Sequence, residues 1–178
     1  MKIQNKKGWT MACLDTLKFK VKPVQLDNGV KREEIHHIVQ AFSGILGSVY
    51  TLAIKTQNFH WNVVGPMFHS LHEISEEQYK DLLTEIDDIA ERIRALGHPV
   101  PSSYAWLSKV SEVPDGEEIK DAFETIQQLV TDRDTIIKQY RSAFDIAERA
   151  KDQASCDFIG TMLYEHEKAA WMMRSHLG

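Results

Sequence analysis

"FHWNVVGPMFHSLHEISEEQYKDLLTEIDDIAERIRALG", residues 59–97, decides how this chain is built. Gly65–Pro66 breaks one helical pattern just after Trp61, and Pro66 suits the first turn of the next helix. From there Phe68, Leu71, Ser75, Tyr79, Leu82, Ile86, Ile89, Ile93 and Leu96 recur at spacings of three and four, the signature of one buried helix face. "GHPVP" at 97–101 stops it: Gly97 can cap, and prolines follow.

The same period extends outward. Upstream, Ile35, Ile38, Phe42, Ile45, Val49, Leu52, Thr56 and Phe59 form a stripe. Downstream come Ile119, Phe123, Ile126, Val130, Ile137, Tyr140, Phe144 and Ala147, then Phe158, Met162, His166, Ala169, Met173 and Leu177. No period-two strand pattern competes. The expectation is all-α: a four-helix bundle with a long crossover between the second and third helices, residues 102–116 forming a loop with a short helix around "YAWLSK".

The 178 residues read as one domain, 29–178, preceded by a flexible basic arm, 1–28, that ends in a turn at Asn28–Gly29. Within the first 22 residues Lys2, Lys6, Lys7, Lys18, Lys20 and Lys22 face Asp15 alone, a net +5, which leaves −10 on the rest of a chain whose total is −5. Such an arm reads either as a solubilising tail or as a non-specific phosphate-backbone binder. Cys13 and Cys156 form no CxxC pair, which excludes zinc-finger and thioredoxin readings and fits a reducing cytoplasm. There is no GxGxxG, P-loop or GxSxG motif. No apolar run reaches the roughly 20 residues of a membrane span, and no secretory signal is expected.

Metal-ligand residues share one arc of the second helix. With His72 at 0° and about 100° per residue, Glu76 falls near 40°, Asp87 near 60° and Glu91 near 100°, whereas the core stripe runs from about −120° to −20°. Leu83 and Ala90 lie inside the polar arc, which implies that a second subunit covers this face. His72 and Asp87 are about 22 Å apart along a helix, too far for one ion. Two copies of the helix, antiparallel about a two-fold axis near residue 80, would set His72 of one chain opposite Asp87 and Glu91 of the other, twice over. His60 joins His72 across the Gly–Pro turn. Two imidazoles and two carboxylates suit iron, with positions left open for an oxidant. Trp61 has two readings, an amphipathic wall or an electron donor to a reactive oxygen species.

Other histidines read blandly. His69 is expected at the surface and His166 as a hydrogen-bonded core residue. Glu33-x-x-His36 and Glu34-x-x-His37 have di-iron spacing but lack the matching second pair, so that segment is expected to be a solvated helix start.

The opening stretch, with "HEKAAWMMRSHL" at 166–177, closely resembles the signature of the Dps family, DNA-binding proteins from starved cells, over about residues 30–178. The resemblance implies a ferritin-like subunit, a dodecameric shell built from two-fold dimers, and a ferroxidase site shared across the dimer axis. It also implies oxidation of Fe(II) by hydrogen peroxide in preference to dioxygen, and storage of ferric mineral that protects DNA. The family's ligands carry over onto His60, His72, Asp87 and Glu91. Glu76 stands where the family commonly has aspartate, and its longer side chain would ligate iron or hold a water beside it. His69 also departs from the family pattern. Asp145, Glu148, Asp152 and Asp157 resemble the segment lining the family's three-fold pores, where carboxylates would concentrate Fe²⁺; for Asp152 a charge at a helix start is the competing reading. Localisation is expected to be cytoplasmic, and nucleoid-associated if the arm binds DNA. The competing functions are a DNA-condensing nucleoid protein and a larger ferritin with a di-iron centre inside the bundle.

Overall fold

A computed structural model of the chain describes residues 21–100, 103–116 and 121–178. Among them the chain forms α1 (Arg32–Asn62), α2 (Phe68–Ala95), α3 (Tyr104–Val110), α4 (Ala122–Arg149) and α5 (Gln153–Arg174), and no strand. Short links make two helical hairpins, α1–α2 and α4–α5, which pack together chiefly through α1 and α4. The connection between the hairpins carries α3, which lies on α1. This is the four-helix bundle with a crossover that the periodicity predicts.

The stripes explain the packing. Ile38, Phe42, Ile45, Val49 and Leu52 of α1 interleave with Leu71, Leu82, Ile89 and Ile93 of α2 and with Ile126, Ile136 and Tyr140 of α4, all essentially buried. α1 is long and apolar enough to cross a membrane by length and composition, but most of that window is buried in the bundle, as in a core helix. Two expected core residues depart: Phe68 and Phe123, in first turns, are about half exposed. Ile119 lies outside the described residues.

The breaks follow backbone chemistry. Gly65 takes φ 112°, a left-handed conformation that costs a side chain little only when that side chain is hydrogen, and its carbonyl accepts from Phe68 N at 3.0 Å. Pro66 sits just before the N-cap Met67 and so precedes the helix instead of opening it. At the far end Gly97 has φ 82°; Gly97 N donates to Arg94 O and His98 N to Ile93 O, the paired bonds of a Schellman cap. The Asn28–Gly29 turn forms as expected, Val30 N donating to Asn28 Oδ1.

The root of the arm is docked: Val24 N donates to Gly97 O at 2.8 Å, and Leu26 packs on the core. Lys22 is exposed, whereas Lys2, Lys6, Lys7, Lys18 and Lys20 lie outside the described residues.

Gly47 sets the position of α3. A Cβ there would stand 2.5 Å from Val110 Cγ2 and 2.6 Å from Leu107 O, so hydrogen alone lets the crossover reach α1. Gly44, one turn earlier, has only Gln139 Nε2 near, at 3.9 Å. Gly47→Ala should therefore destabilise the fold by about 1–3 kcal/mol through overpacking. Gly44→Ala should stabilise it by up to about 1 kcal/mol through helix propensity. Urea unfolding of both variants checks the opposite signs.

Candidate metal centre

The short link after α1 folds its last turn onto the first turns of α2, and there His60 and His72 meet. Their rings stack with centroids 3.8 Å apart and planes 23° from parallel. His60 Nδ1 lies 2.9 Å from the backbone carbonyl of His72, and His72 Nδ1 lies 2.9 Å from the carbonyl of His60. A carbonyl oxygen only accepts, so each Nδ1 carries the hydrogen, and in the neutral ring each Nε2 keeps its lone pair. That is the tautomer a metal-ligating imidazole needs, held by a partner on its other nitrogen. Geometry supplies the reason: the His60 carbonyl belongs to the last turn of α1, where carbonyls lack helical partners. Around the pair, Tyr79 tilts toward His60 at 5.4 Å and Phe68 stacks on His72 at 5.1 Å. Trp61, beside His60, is 66% exposed.

Glu76 lies one turn beyond His72. Its Oε1 accepts from Lys80 Nζ at 2.6 Å, and that bond and charge, with His60 and His72 adding to it, hold the Glu76 carboxyl below its usual range. Asp87 and Glu91 are exposed further along the same unbroken helix. The rise of an α-helix keeps Asp87 about 22 Å from His72. Among the described residues no three histidine, cysteine, aspartate or glutamate side chains converge to hold an ion. One chain thus brings together His60, His72 and the neighbouring Glu76, and leaves Asp87 and Glu91 apart. Exposed Trp61, Phe68 and Leu83 lie on the same helix pair as these polar groups, and exposed Val64 lies on the link between the two helices. His69 is at the surface, as expected, with Glu73 Oε1 3.5 Å from its Nε2.

The acidic residues near the α4–α5 turn divide. Asp145, Glu148 and Asp157 are exposed. Asp152 is buried: Arg92 Nη2 donates to both its oxygens at 2.7 Å, Ser155 Oγ donates at 2.6 Å, and Ser155 N completes an N-cap of α5. Its charge is spent joining α5 to α2, which favours the helix-start reading of Asp152. Glu148 and Asp157 line an open groove with Phe144, Cys156 and Tyr164. Burial, with Asp152, Glu148 and Asp157 adding repulsion, pushes the Cys156 thiol up.

Polar residues also meet inside the bundle, where sequence reasoning found only His166. Glu85 Oε1 accepts from Tyr140 OH at 2.6 Å and faces His166 Nε2 at 2.9 Å. Arg133 Nη1 lies 3.1 Å from His166 Nδ1, and its Nη2 donates to Gln78 Oε1 at 3.0 Å. A guanidinium only donates, so His166 Nδ1 accepts and Nε2–H donates to Glu85: the ring is neutral and both nitrogens are used. Burial pushes Arg133 down to about 10, with Glu85 opposing, so it remains a cation at neutral pH. Burial and Glu85 push the Tyr140 hydroxyl far up. A fixed guanidinium beside the carboxylate and an imidazole without a free lone pair do not suit a dication. Glu85 was legible in principle, since Leu82, Glu85 and Ile89 keep the three–four spacing of the stripe.

Comparison with known proteins agrees with this architecture. Residues 39–178 match the Ferritin family, a ferritin-like domain. The DNA protection during starvation protein 2 of Bacillus anthracis is 37% identical over 129 residues, covering 71% of this chain and 86% of its own. A low temperature-induced protein of a Nostoc species is 34% identical, covering 86% and 87%. Among solved structures, a Dps protein from Bacillus brevis is 28% identical with TM-score 0.80, covering 83% of this chain and 99% of that one. Dps from Staphylococcus aureus is 30% identical with TM-score 0.78, covering 84% and 98%.

Neutron diffraction at neutral pH should show hydrogen on Nδ1 and none on Nε2 of both His60 and His72, and the reverse in His166. Hydrogen on Nε2 of His60 or His72 would overturn the tautomer assignment.

Proposed function

The chain belongs to the Dps family of ferritin-like proteins, and from that premise we propose that it oxidises Fe(II) at composite centres between two-fold-related subunits and stores the ferric product inside a dodecameric shell. The observation that supports the reading is the reciprocal clamp on His60 and His72, which orients two imidazoles while, among the described residues, no three ligand side chains of one chain converge to complete a site. In the proposed dimer the partner offers its own Asp87 and Glu91, from an antiparallel α2, and the exposed Leu83 and Phe68 are covered.

Iron is the substrate. Neutral imidazoles bind Fe²⁺, and carboxylates favour Fe³⁺ once it forms. Two ferrous ions each give one electron to a single hydrogen peroxide; its O–O bond breaks, two protons are taken up, and two waters leave. Delivering both electrons together avoids release of a hydroxyl radical. Dioxygen is the slower alternative oxidant. Glu76, tied to Lys80, is near enough to the imidazoles to serve a second iron position once that ion pair opens. Trp61, exposed beside His60, is placed to give an electron to a stray radical or to wall the centre. Exposed Asp145, Glu148 and Asp157 provide the negative field that draws Fe²⁺ inward, while Asp152 serves mainly as the cap of α5.

The protective role toward DNA and a cytoplasmic location accompany this reading. The +5 charge of residues 1–22 on a −10 body supports an added, sequence-independent attachment to DNA, with nucleoid association.

Subunit mixing tests the composite centre. His60→Ala and Asp87→Ala particles should each lose most peroxide-driven Fe(II) oxidation. Co-assembled at equal amounts from unfolded chains, they should recover about a quarter of the wild-type rate, because half the dimers are mixed and each mixed dimer has one intact centre. No recovery would place the ligands within one chain. For the arm, deletion of residues 1–22 should abolish the low-salt gel shift of plasmid DNA and leave iron oxidation unchanged. An unchanged shift would remove its DNA role.

A further inference from the structure

The start of α1 is less solvated than the sequence suggests. His36 packs against His98, the residue that follows the Gly97 cap of α2, with ring centroids 5.9 Å apart and planes at 56°. His36 Nε2 is buried and has no hydrogen-bond partner. An orphaned buried nitrogen is uncommon in a folded protein and calls for an occupant. Water is the first candidate. A metal ion is the second, and the ring spacing is compatible with it: two imidazoles sharing one ion at bonds near 2.0–2.1 Å hold their centroids about 5 to 6.4 Å apart. The His60–His72 pair differs: its rings are stacked at 3.8 Å and each Nδ1 is clamped by a carbonyl, whereas His36 Nε2 has no partner.

We infer that His36 and His98 form a second metal site, distinct from the iron-oxidising centre, that takes one borderline divalent ion of the zinc–copper class. Imidazole is their preferred neutral ligand, whereas Mg²⁺ and Ca²⁺ require oxygen. Both residues lie at the surface and are partly exposed, although His36 Nε2 itself is covered, so a small ring movement would admit an ion with water completing its coordination. No third histidine, cysteine, aspartate or glutamate joins them among the described residues, which makes the site exchangeable instead of a closed structural one.

The location gives the site a consequence. His98 adjoins Gly97, whose carbonyl holds Val24, and Arg94 Nη1 donates to His98 O. An ion on His36 and His98 ties the first turns of α1 to the end of α2 at the point where the basic arm is rooted.

Cu²⁺ and Zn²⁺ are the probes, in the full-length His60→Ala/His72→Ala protein, which lacks the competing imidazole pair. Pulsed EPR should show one Cu²⁺ per chain at micromolar copper, with modulation from two imidazoles. His36→Gln or His98→Ala, added singly, should remove the two-imidazole pattern and weaken binding by at least about tenfold. Zn²⁺ should raise the melting temperature of the parent and not of either variant. A two-imidazole pattern that survives both substitutions, or copper binding that needs millimolar metal, would overturn the site. Neither outcome bears on the iron-oxidation reading, which the subunit-mixing rate tests independently.

Discussion

The rigidity of α2 governs the rest. A straight helix with a rise of about 1.5 Å per residue fixes His72 and Asp87 too far apart for any one ion. No side-chain movement closes that gap. The same helix must also bury Leu71, Leu82, Ile89 and Ile93 on its opposite side, which prevents it from turning its polar face inward. The polar arc is therefore presented outward with Leu83 among it, and the iron chemistry proposed there would require a second copy. In the proposed reading, function at this face and assembly are one constraint.

The bundle interior shows why the outer face is available for this work. In a four-helix bundle the axis is the obvious place for a metal, lined by inward carboxylates and histidines. Here Arg133 occupies the interior, neutralising Glu85 and consuming Nδ1 of His166, while Tyr140 takes another acceptor site on Glu85. Every charge is met by a hydrogen-bonded partner, as a low-dielectric interior demands. Lys55 repeats the arrangement with Asp132 of α4, Nζ to Oδ2 at 2.5 Å. These groups hold helices together.

Much of this was legible in sequence, for a physical reason. Periodicity, Gly65, Pro66 and Gly97 act locally, and they gave the helices, the breaks and the crossover correctly. His60 and His72 are joined by a short turn, so their meeting was also local. What was missed depends on residues far apart in the chain: Glu85 with His166, Arg92 with Asp152, His36 with His98. Helix wheels do not say which turn of one helix faces which turn of another. The α4–α5 link was hidden for another reason. Lys151 adopts φ 57° where glycine would be the readable signal, because Lys151 N and Asp152 N bond back to Glu148 and Ala147 and hold it there. Assembly itself is written only as exposed apolar residues on a polar arc.

Under the proposed peroxide chemistry, Cys156 has a further meaning. Sulfur is attacked by peroxide as thiolate, and the rungs beyond sulfenic acid are not readily reversed. Burial and the carboxylates around Cys156 keep it in the inert thiol form. The acidic charge that would attract ferrous ion to this groove thus also shields the neighbouring sulfur, so this cysteine should outlast many rounds of oxidant consumption without becoming a redox sensor.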